Sequence, residues 1–446
     1  GYTKGAGQKS NYLIVKFNPA NCDTVWTRQY NYVFNQSDRA TAVAVDASGN
    51  IYVTGRSDQD LNDTLDNNDA VTLKYSPTGV LQWTQRFNGT TNGRDEATDI
   101  LIDNAGNVVV CGRTQSGLQD NAFVIKYNPA TGTPVWAAPA IYAGSAGLDD
   151  RAEAMAVDAN DNIFVAGKTV TSVAAGSDDA LAFRVTSAGA LSGVYTFNGA
   201  GSGNDEAAAI ATDYQNKVVV LMRSDRDATP LFANYDYVTV KLENNLLTQT
   251  WAAPKVYDGP VSDDDEPVAL AINSAGEILV TGFSSVDTTG GVTDNNIVSI
   301  RYDAWGVQDW ISSWQGPAFG DDEPIGLLQQ NTATWVCGIS DSTVTYQSDA
   351  VLLRYDLATA VNEPSVNVSL LSAYPNPASD RVRIRYAQPV SGNDRLCLFD
   401  VSGRVVLERP VYFNEFDLDL KGIASGSYRL VISGQGQIQS AGLIVR

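Results

Sequence analysis

The sequence predicts an all-β protein, on three observations. Short runs rich in Val, Ile and Tyr recur along the chain, and such residues suit a pleated, half-buried surface. Gly, Asn, Asp and Pro separate the runs with turn chemistry. One pattern also returns every 55–60 residues from Asp38 to beyond Asp322, which marks a repeat architecture.

The repeat is visible in DRATAVAVDASGNIYVTGR from Asp38, DEATDILIDNAGNVVVCGR from Asp95 and DRAEAMAVDANDNIFVAGK from Asp150. It continues at Asp205, Asp265 and Asp322. Each unit reads as four strands. Strand A is the alternating apolar run after the Asp, such as Ala42 to Val45. The turn Asp46-Ala-Ser-Gly49-Asn50 follows, its Gly and Asn supplying positive φ. Strand B is Ile51 to Thr54, closed by Gly55. A polar loop of variable length leads to strand C, Ala70 to Tyr75. Pro77 and Gly79 make the next turn, and strand D carries Trp83. One four-stranded sheet cannot bury both faces alone, whereas radial stacking of such sheets does, so the repeats predict a β-propeller.

Strand C opens seven times, with Asn11, Asp69, Asn121, Asp179, Asp236, Asn296 and Asp349. Five residues later stands a base each time: Lys16, Lys74, Lys126, Arg184, Lys241, Arg301 and Arg354. Strands A and B occur six times. Seven blades are expected, the chain starting at the end of a strand B. On that reading strands A and B of the first blade, and the strand closing the ring, lie upstream of Gly1. Six blades is the alternative, with Asn11–Tyr30 completing the last blade.

The propeller is expected over residues 1–359 and a linker over 360–370. A second all-β domain is expected over 371–446. There Val382, Ile384 and Tyr386 alternate, Leu396-Cys-Leu-Phe-Asp400 precedes the turn Val401-Ser-Gly403-Arg404, and the last strand runs from Gly442 to Arg446. Short strands with hairpin turns in this length predict a small Ig-like Greek-key β-sandwich.

Composition limits the function. The 446 residues hold 30 Lys and Arg against 51 Asp and Glu, a net charge of −21. Phosphate binding needs clustered bases, so nucleic acid is not an expected partner. No apolar stretch approaches the ~18 residues of a membrane-spanning helix. The chain has no histidine, which removes His-based triads, bases and metal ligands together. Cys22, Cys111, Cys337 and Cys397 show no metal-ligand spacing. They read as free and mostly buried, with a single disulfide as the alternative.

The most visible constellation is the series Asp38, Asp95, Asp150, Asp205, Asp265 and Asp322 ahead of each strand A. As a ring at one mouth of the channel it would suit a cation. A catalytic site needs different residues in different roles, so a feature copied in every blade reads instead as architecture, each Asp capping a turn or pairing with the strand-C base. The loop Asp58–Asp66 alternates oxygen ligands as a calcium loop does. It lacks Gly at the sixth position and has Asp69 where a bidentate Glu is expected. It and the run Asp263-Asp264-Asp265-Glu266 read as solvated charge, with calcium as the alternative. No other cofactor is expected.

Departures from the repeat are the better guide to a specific site. Met222 replaces the strand-B glycine in the fifth blade, followed by Arg223-Ser-Asp225-Arg226-Asp227. Trp310 matches the strand-D tryptophans Trp26, Trp83, Trp136 and Trp251 and reads as core. Trp305 and Trp314 are off that position, either packed under a loop or stacking on sugar rings.

The tail resembles the type A C-terminal sorting domain of type IX secretion cargo in Bacteroidota. The resemblance runs from about Leu371 to Arg446 and rests on an ordered set of motifs. These are Tyr374-Pro375-Asn376-Pro377, Asp400-Val-Ser-Gly403-Arg404, Gly426-Ser-Tyr428 and the terminal apolar Leu443-Ile444-Val445. The lysine often found before the last strand is missing. The resemblance implies passage through the outer-membrane translocon to the cell surface or beyond, binding of the tail by a shuttle protein, and its removal by a sortase-like peptidase. The first 356 residues resemble the bacterial β-propeller repeat of secreted proteins from that group, which implies fold and leaves function open. The expected function is a secreted, non-enzymatic binding or display module, its variable B–C loops meeting a surface glycan or protein. The alternative is a carbohydrate-active enzyme using a carboxylate pair.

Overall fold

A computed structural model describes the chain except residues 5–8, 33–35, 59–66, 172–177, 200–202, 226–233, 262, 289–291, 317–319, 331–332, 342–347, 357–370, 375, 377, 387–393, 401–403 and 435–436. The expected linker lies outside the described residues, as do Pro375, Pro377, Gly403, Arg226, Asp227 and most of the loop after Asp58. The chain divides into two units, Gly1–Leu357 and Ala358–Arg446.

The first unit holds seven antiparallel sheets in chain order. Among the described residues the second to sixth sheets have four strands each, and the first and seventh have three. The second sheet shows the plan: strand A is Asp38–Val45, B is Ile51–Asp58, C is Asn68–Tyr75 and D is Leu81–Phe87. The first sheet is Tyr2–Lys4, Ser10–Phe17 and Thr24–Tyr30, hence B-C-D. The seventh is Asp322–Gln330, Ala333–Asp341 and Ser348–Asp356, hence A-B-C. Seven blades are present among the described residues, in the phase the strand-C motif predicts.

Burial follows the face-to-face stacking. Ile51, Val53, Val71 and Leu73 of the second sheet bury against Tyr12, Ile14 and Trp26 of the first. Its other face sets Tyr52, Ala70 and Trp83 against Val108, Val110, Phe123 and Ile125 of the third. Strands B and C, covered on both faces, are continuous apolar runs, whereas strand A keeps an alternating pattern.

Two details of the repeat differ from expectation. Gly55 does not end strand B but lies inside it, because strand A bulges between Ala40 and Ala42 and presses onto it. A Cβ on Gly55 would sit 2.1 Å from the Arg39 carbonyl oxygen, so a side chain is excluded there. In the A–B turn only Gly49 has positive φ, at 79°. Asn50 instead donates its backbone N–H to Asp46 Oδ1 at 2.9 Å. Asp161 and Asn216 take the positive-φ place of Gly49 in two later turns, as their short polar side chains allow.

The strand-D tryptophan and the strand-C base act together. Lys74 Nζ and Trp83 Nε1 both donate to the Pro129 carbonyl in the next sheet's turn, at 2.7 and 3.1 Å. Lys16 and Trp26 hold the Pro77 carbonyl in the same way, and Lys241 and Trp251 that of Ala304. The first, second and fifth sheets thus each grip one carbonyl of the next sheet with a base and a tryptophan together. Trp310 is a correction: it is half-buried, not core, and stacks on Tyr355 with ring centroids 5.1 Å apart. Its sheet packs on the seventh sheet, in which the described residues form three strands and supply no strand D.

The second unit is the expected sandwich. Leu371–Tyr374, Arg381–Tyr386 and Glu415–Asp419 form one sheet. Val405–Pro410, Arg395–Asp400, Gly426–Gly434 and Gln437–Val445 form the other. Val382, Ile384, Leu396, Leu398, Leu430, Ile432, Leu443 and Val445 are its shared core, and strict alternation in Arg381–Tyr386 separates core from solvent.

All four cysteines are free, but they are not mostly buried: Cys22 and Cys337 are exposed, Cys397 is intermediate and Cys111 is buried. Cys111 and Cys337 occupy the same repeat position. The fourth sheet covers Cys111, whereas no described residue of the first unit covers the onward face of the seventh sheet, with Leu352 61% exposed against 0% for its counterpart Val124. Burial also raises the Cys111 thiol pKa well above its ordinary value, so both access and thiolate are denied. A maleimide added to the native chain is expected to modify Cys22 and Cys337 within minutes and Cys111 only after unfolding. Peptide mass mapping checks this, and equal labelling of Cys111 and Cys337 would contradict the stacking.

Candidate functional site

The recurring aspartates begin strand A in every sheet that has one, and all six are buried with no exposed surface. They do not line an open mouth with accessible carboxylates. Each accepts a backbone N–H from the segment leaving the preceding strand D. Tyr32 donates to Asp38 Oδ2 at 3.1 Å, Gly89 to Asp95 at 2.8 Å, Gly144 to Asp150 at 2.6 Å and Gly199 to Asp205 at 2.8 Å. Gly259 donates to Asp265 at 2.5 Å and Gly316 to Asp322 at 2.6 Å. Thr169 Oγ1 also donates to Asp150 Oδ1 at 2.5 Å. Glycine fits the donor place because a Cβ on Gly89 would lie 2.3 Å from Thr114 Oγ1 and 2.8 Å from Asp95 Oδ1.

The strand-C bases stand at the opposite end of the sheets and do not pair with these aspartates. Lys126 pairs with Asp103 at 2.9 Å and Lys241 with Asp213 at 2.8 Å, both beside A–B turns. Arg184 donates to the Asn244 carbonyl at 2.9 Å, Arg301 pairs with Asp309 at 3.2 Å, and Arg354 lies over the Trp335 ring. The run at 263–266 is divided among tasks. Asp264 accepts from Tyr235 N–H at 3.3 Å, Asp265 is the buried anchor, and Glu266 pairs with Arg223 at 2.8 Å. Arg223 also bonds Glu206 at 2.7 Å, so the residue after Met222 bridges two sheets.

One solvent-facing feature departs from the repeat. A cavity of about 290 Å³ lies between turns of the fifth and sixth sheets, lined by Tyr214, Lys241, Trp251 and Trp305 among others. Tyr214 is 65% exposed and Trp305 79% exposed. Trp305 sits in the turn Asp303–Gly306, held by its N–H to Asp303 Oδ1 at 2.9 Å. Trp314, by contrast, is half-buried. The pairing of Tyr214 with Trp305 has no sequence signal, since the two are 91 positions apart.

In the second unit the structure brings the tail motifs together. Asn376 Oδ1 accepts from the Ile444 N–H at 2.8 Å. Ala378 N–H donates to the Ile444 carbonyl, and Arg446 N–H to the Ala378 carbonyl, each at 2.8 Å. The segment after Tyr374 is thus a parallel partner of the final strand. Gly426 and Tyr428 pair with Val445 and Leu443 across the same strand. Leu443 and Val445 are buried, and Ile444 between them is 46% exposed. Asp400 and Arg404 close their hairpin by an N–H bond of 3.0 Å and an ion pair of 3.1 Å. Tyr428 Oη donates to the Ala424 carbonyl at 2.7 Å.

Residues 372–446 match the model of the secretion system C-terminal sorting domain, and residues 25–62 match the β-propeller repeat. The chain is a type IX secretion cargo protein with a β-propeller, exported across the outer membrane to the cell surface or the extracellular space. No curated protein matches it. Among solved structures it is similar to PorZ, a surface component of the type IX secretion system of Porphyromonas gingivalis. That likeness has 15% identity and a TM-score of 0.36, over 92% of this chain and 51% of that one. The chain therefore spans about half the length of PorZ. It is also similar to Penicillium chrysogenum α-L-arabinanase (11% identity, TM-score 0.44, 79% of this chain and 99% of that one). The polysaccharide lyase Uly1 is a third (11% identity, TM-score 0.43, 94% and 92%). These structural likenesses assign no activity to the cargo protein.

The buried anchors carry a pH signature. Burial pushes Asp205 up to about 6 from 3.8, against the Ser224 hydroxyl and Gly199 N–H, with Asp179 and Asp225 adding to the rise. Between those two values the folded state holds more protons than the unfolded state, so this group's contribution to stability is lost as pH rises through the window. Wild type is expected to lose stability relative to Asp205→Asn between about pH 4 and 6, measured by urea unfolding at each pH. Parallel curves for the two proteins would refute the assignment.

Proposed function

We propose that the propeller is a non-enzymatic binding and display module, carried to the cell surface by residues 371–446. The sandwich is the part that meets the translocon, its shuttle protein and a sortase-like peptidase. The observation that carries this reading is the clamp of Asn376 and Ala378 on the final strand. It gathers the tail motifs into one folded recognition element rather than a loose peptide. Deleting residues 371–446 is expected to leave the propeller folded and retained in the periplasm of the producing cell. Fractionation with immunoblotting tests this; surface delivery of the truncated chain would overturn it.

The ligand-facing part of this reading rests on the groove between Tyr214 and Trp305. Two exposed aromatic rings flanking a polar cavity suit a sugar ring, whose C–H face packs on an aromatic while its hydroxyls meet polar walls. Asp213 beneath the groove is committed to Lys241 in a buried ion pair, which supports binding rather than hydrolysis. Trp305→Ala is expected to weaken binding to bacterial surface polysaccharide at least tenfold without changing the thermal midpoint. Pull-down on insoluble polysaccharide measures the first quantity and calorimetry the second; unchanged retention would sink the groove as the contact.

A further inference from the structure

The junctions between successive sheets are internal controls for one another. The groove between the fifth and sixth sheets combines the second residue of an A–B turn, Tyr214, with the third residue of the next sheet's C–D turn, Trp305. At the three junctions before it those places hold Ala47 and Ala130, Asn104 and Ala188, and Ala159 and Asn245. A third departure stands nearby. Lys255 lies opposite Thr239 in the fifth sheet, at the place of Arg28, Gln85 and Ala140 in the first three. The third sheet is the sharpest control, because it shares the frame of the fifth. Trp136-Ala-Ala-Pro139 precedes Ala140 as Trp251-Ala-Ala-Pro254 precedes Lys255. In both, strand D shrinks to three residues, Ala140–Tyr142 and Lys255–Tyr257. Both also hold a buried ion pair beneath the turns, Lys126 with Asp103 and Lys241 with Asp213. On that copied frame, Tyr214, Lys255 and Trp305 replace Asn104, Ala140 and Ala188.

Lys255 borders the groove, and the fold makes little use of its charge. A Cβ on Gly306, the residue after Trp305, would lie 2.8 Å from Lys255 Cε and 2.8 Å from Trp251 Cδ2. The lysine stem therefore runs along the turn that carries Trp305 and along a tryptophan that lines the cavity. Its Nζ stands 5.9 Å from the Trp251 ring centroid, the outer limit of a cation–π contact. Among the described residues it has no ion pair and no hydrogen bond. Arg28, at the same place in the first sheet, instead donates to the Gly79 carbonyl at 2.6 Å. The other charges around the groove are committed. Lys241 pairs with Asp213, Lys217 with Glu243, and Arg301 with Glu277 and Asp309. Asp303 accepts the N–H groups of Trp305 and Val307 within its own turn.

We propose that the groove takes an acidic saccharide, a uronate polymer, with one ring packed on Trp305 and Tyr214 and a carboxylate meeting Lys255. This rests on the reading of the groove as a sugar site and adds the charge of the sugar. The aromatic rings supply a face for the C–H side of a pyranose, but they do not distinguish one sugar from another. A carboxylate needs a donor, and an ammonium group serves it better than a neutral one because charge-assisted hydrogen bonds are shorter and stronger. Lys255 has its donors unspent, and its flexible stem lets them follow a carboxylate on the stacked ring or on the next ring along the chain. The net charge of −21 opposes a polyanion at long range. At physiological salt that field is screened beyond about 8 Å, so the cation at the point of contact decides.

The test uses the whole chain and short oligomers of galacturonate, glucuronate and mannuronate. Each is compared with its methyl ester, which keeps the ring and removes the charge. Calorimetry measures the affinities. Wild type is expected to bind the acid form of at least one uronate about fivefold tighter than its ester, the scale of a partly exposed ion pair. Lys255→Gln should bring that ratio to one, and Lys255→Arg should keep it. Trp305→Ala should weaken acid and ester alike. A ratio of one for every uronate, or a ratio that survives in Lys255→Gln, would overturn the proposal. So would failure to bind any acid form while neutral polysaccharide is retained. In those cases a loss of sugar binding in Trp305→Ala would leave the groove as a site for neutral sugar. Binding untouched by Trp305→Ala would remove the groove itself, and this proposal with it.

Discussion

Every sheet of the propeller has two apolar faces, and each face is dry only where a neighbouring sheet covers it. This constraint orders the rest of the unit. It makes strands B and C continuous apolar runs, and it makes the position of a residue in the stack as important as its identity. Val124 and Leu352 share one place in the repeat, yet the first is sealed and the second 61% exposed. At ~25 cal/mol per Å² of apolar surface, the difference lies in the neighbour, not in the strand. Phe17 on the first sheet, 56% exposed where Tyr75 is 3% exposed, shows the same at the other end of the stack.

Stacking of apolar faces is non-directional, so polar links must fix the register between sheets. Two sets do so at opposite ends. At one end the buried aspartate of strand A receives the N–H of the incoming segment. At the other, the strand-C base and the strand-D tryptophan of the first, second and fifth sheets converge on one carbonyl of the next turn. A buried donor or acceptor left unpaired costs about 1–3 kcal/mol. A sheet slipped by one residue would strand several such groups at once. These links therefore penalise misregister more than they add to the depth of the native state.

The architecture was legible in the sequence because repetition exposes phase. The seven strand-C motifs predict seven sheets beginning part-way through a repeat, and among the described residues the first sheet runs B-C-D and the seventh A-B-C. What was hidden belongs to contacts between repeats rather than within one. Gly55 reads as a strand end by composition, yet its place is set by a bulge in the facing strand. Trp310 matches the core tryptophans in sequence and differs from them only through what lies beyond it. Cys337 was misjudged for the same reason, while Cys22 is exposed because it sits in a turn. Tyr214 and Trp305 line one cavity only because their turns lie at the same end of adjacent sheets.

The tail was legible as an ordered set of motifs, but the reason for the order is structural. Tyr374–Pro377 and Leu443–Val445 are the two extremes of the unit, and Asn376 and Ala378 hydrogen-bond the final strand directly. Gly426 and Tyr428 pair with that strand from its other edge. The last strand is thus held between two partners, with Leu443 and Val445 in the core. Residues scattered over seventy positions are coupled through a single strand, so they form or fail together. Any surface built on that strand exists only when the unit is folded to its last residues, and Ile444, between the buried Leu443 and Val445, is the part of it that solvent reaches.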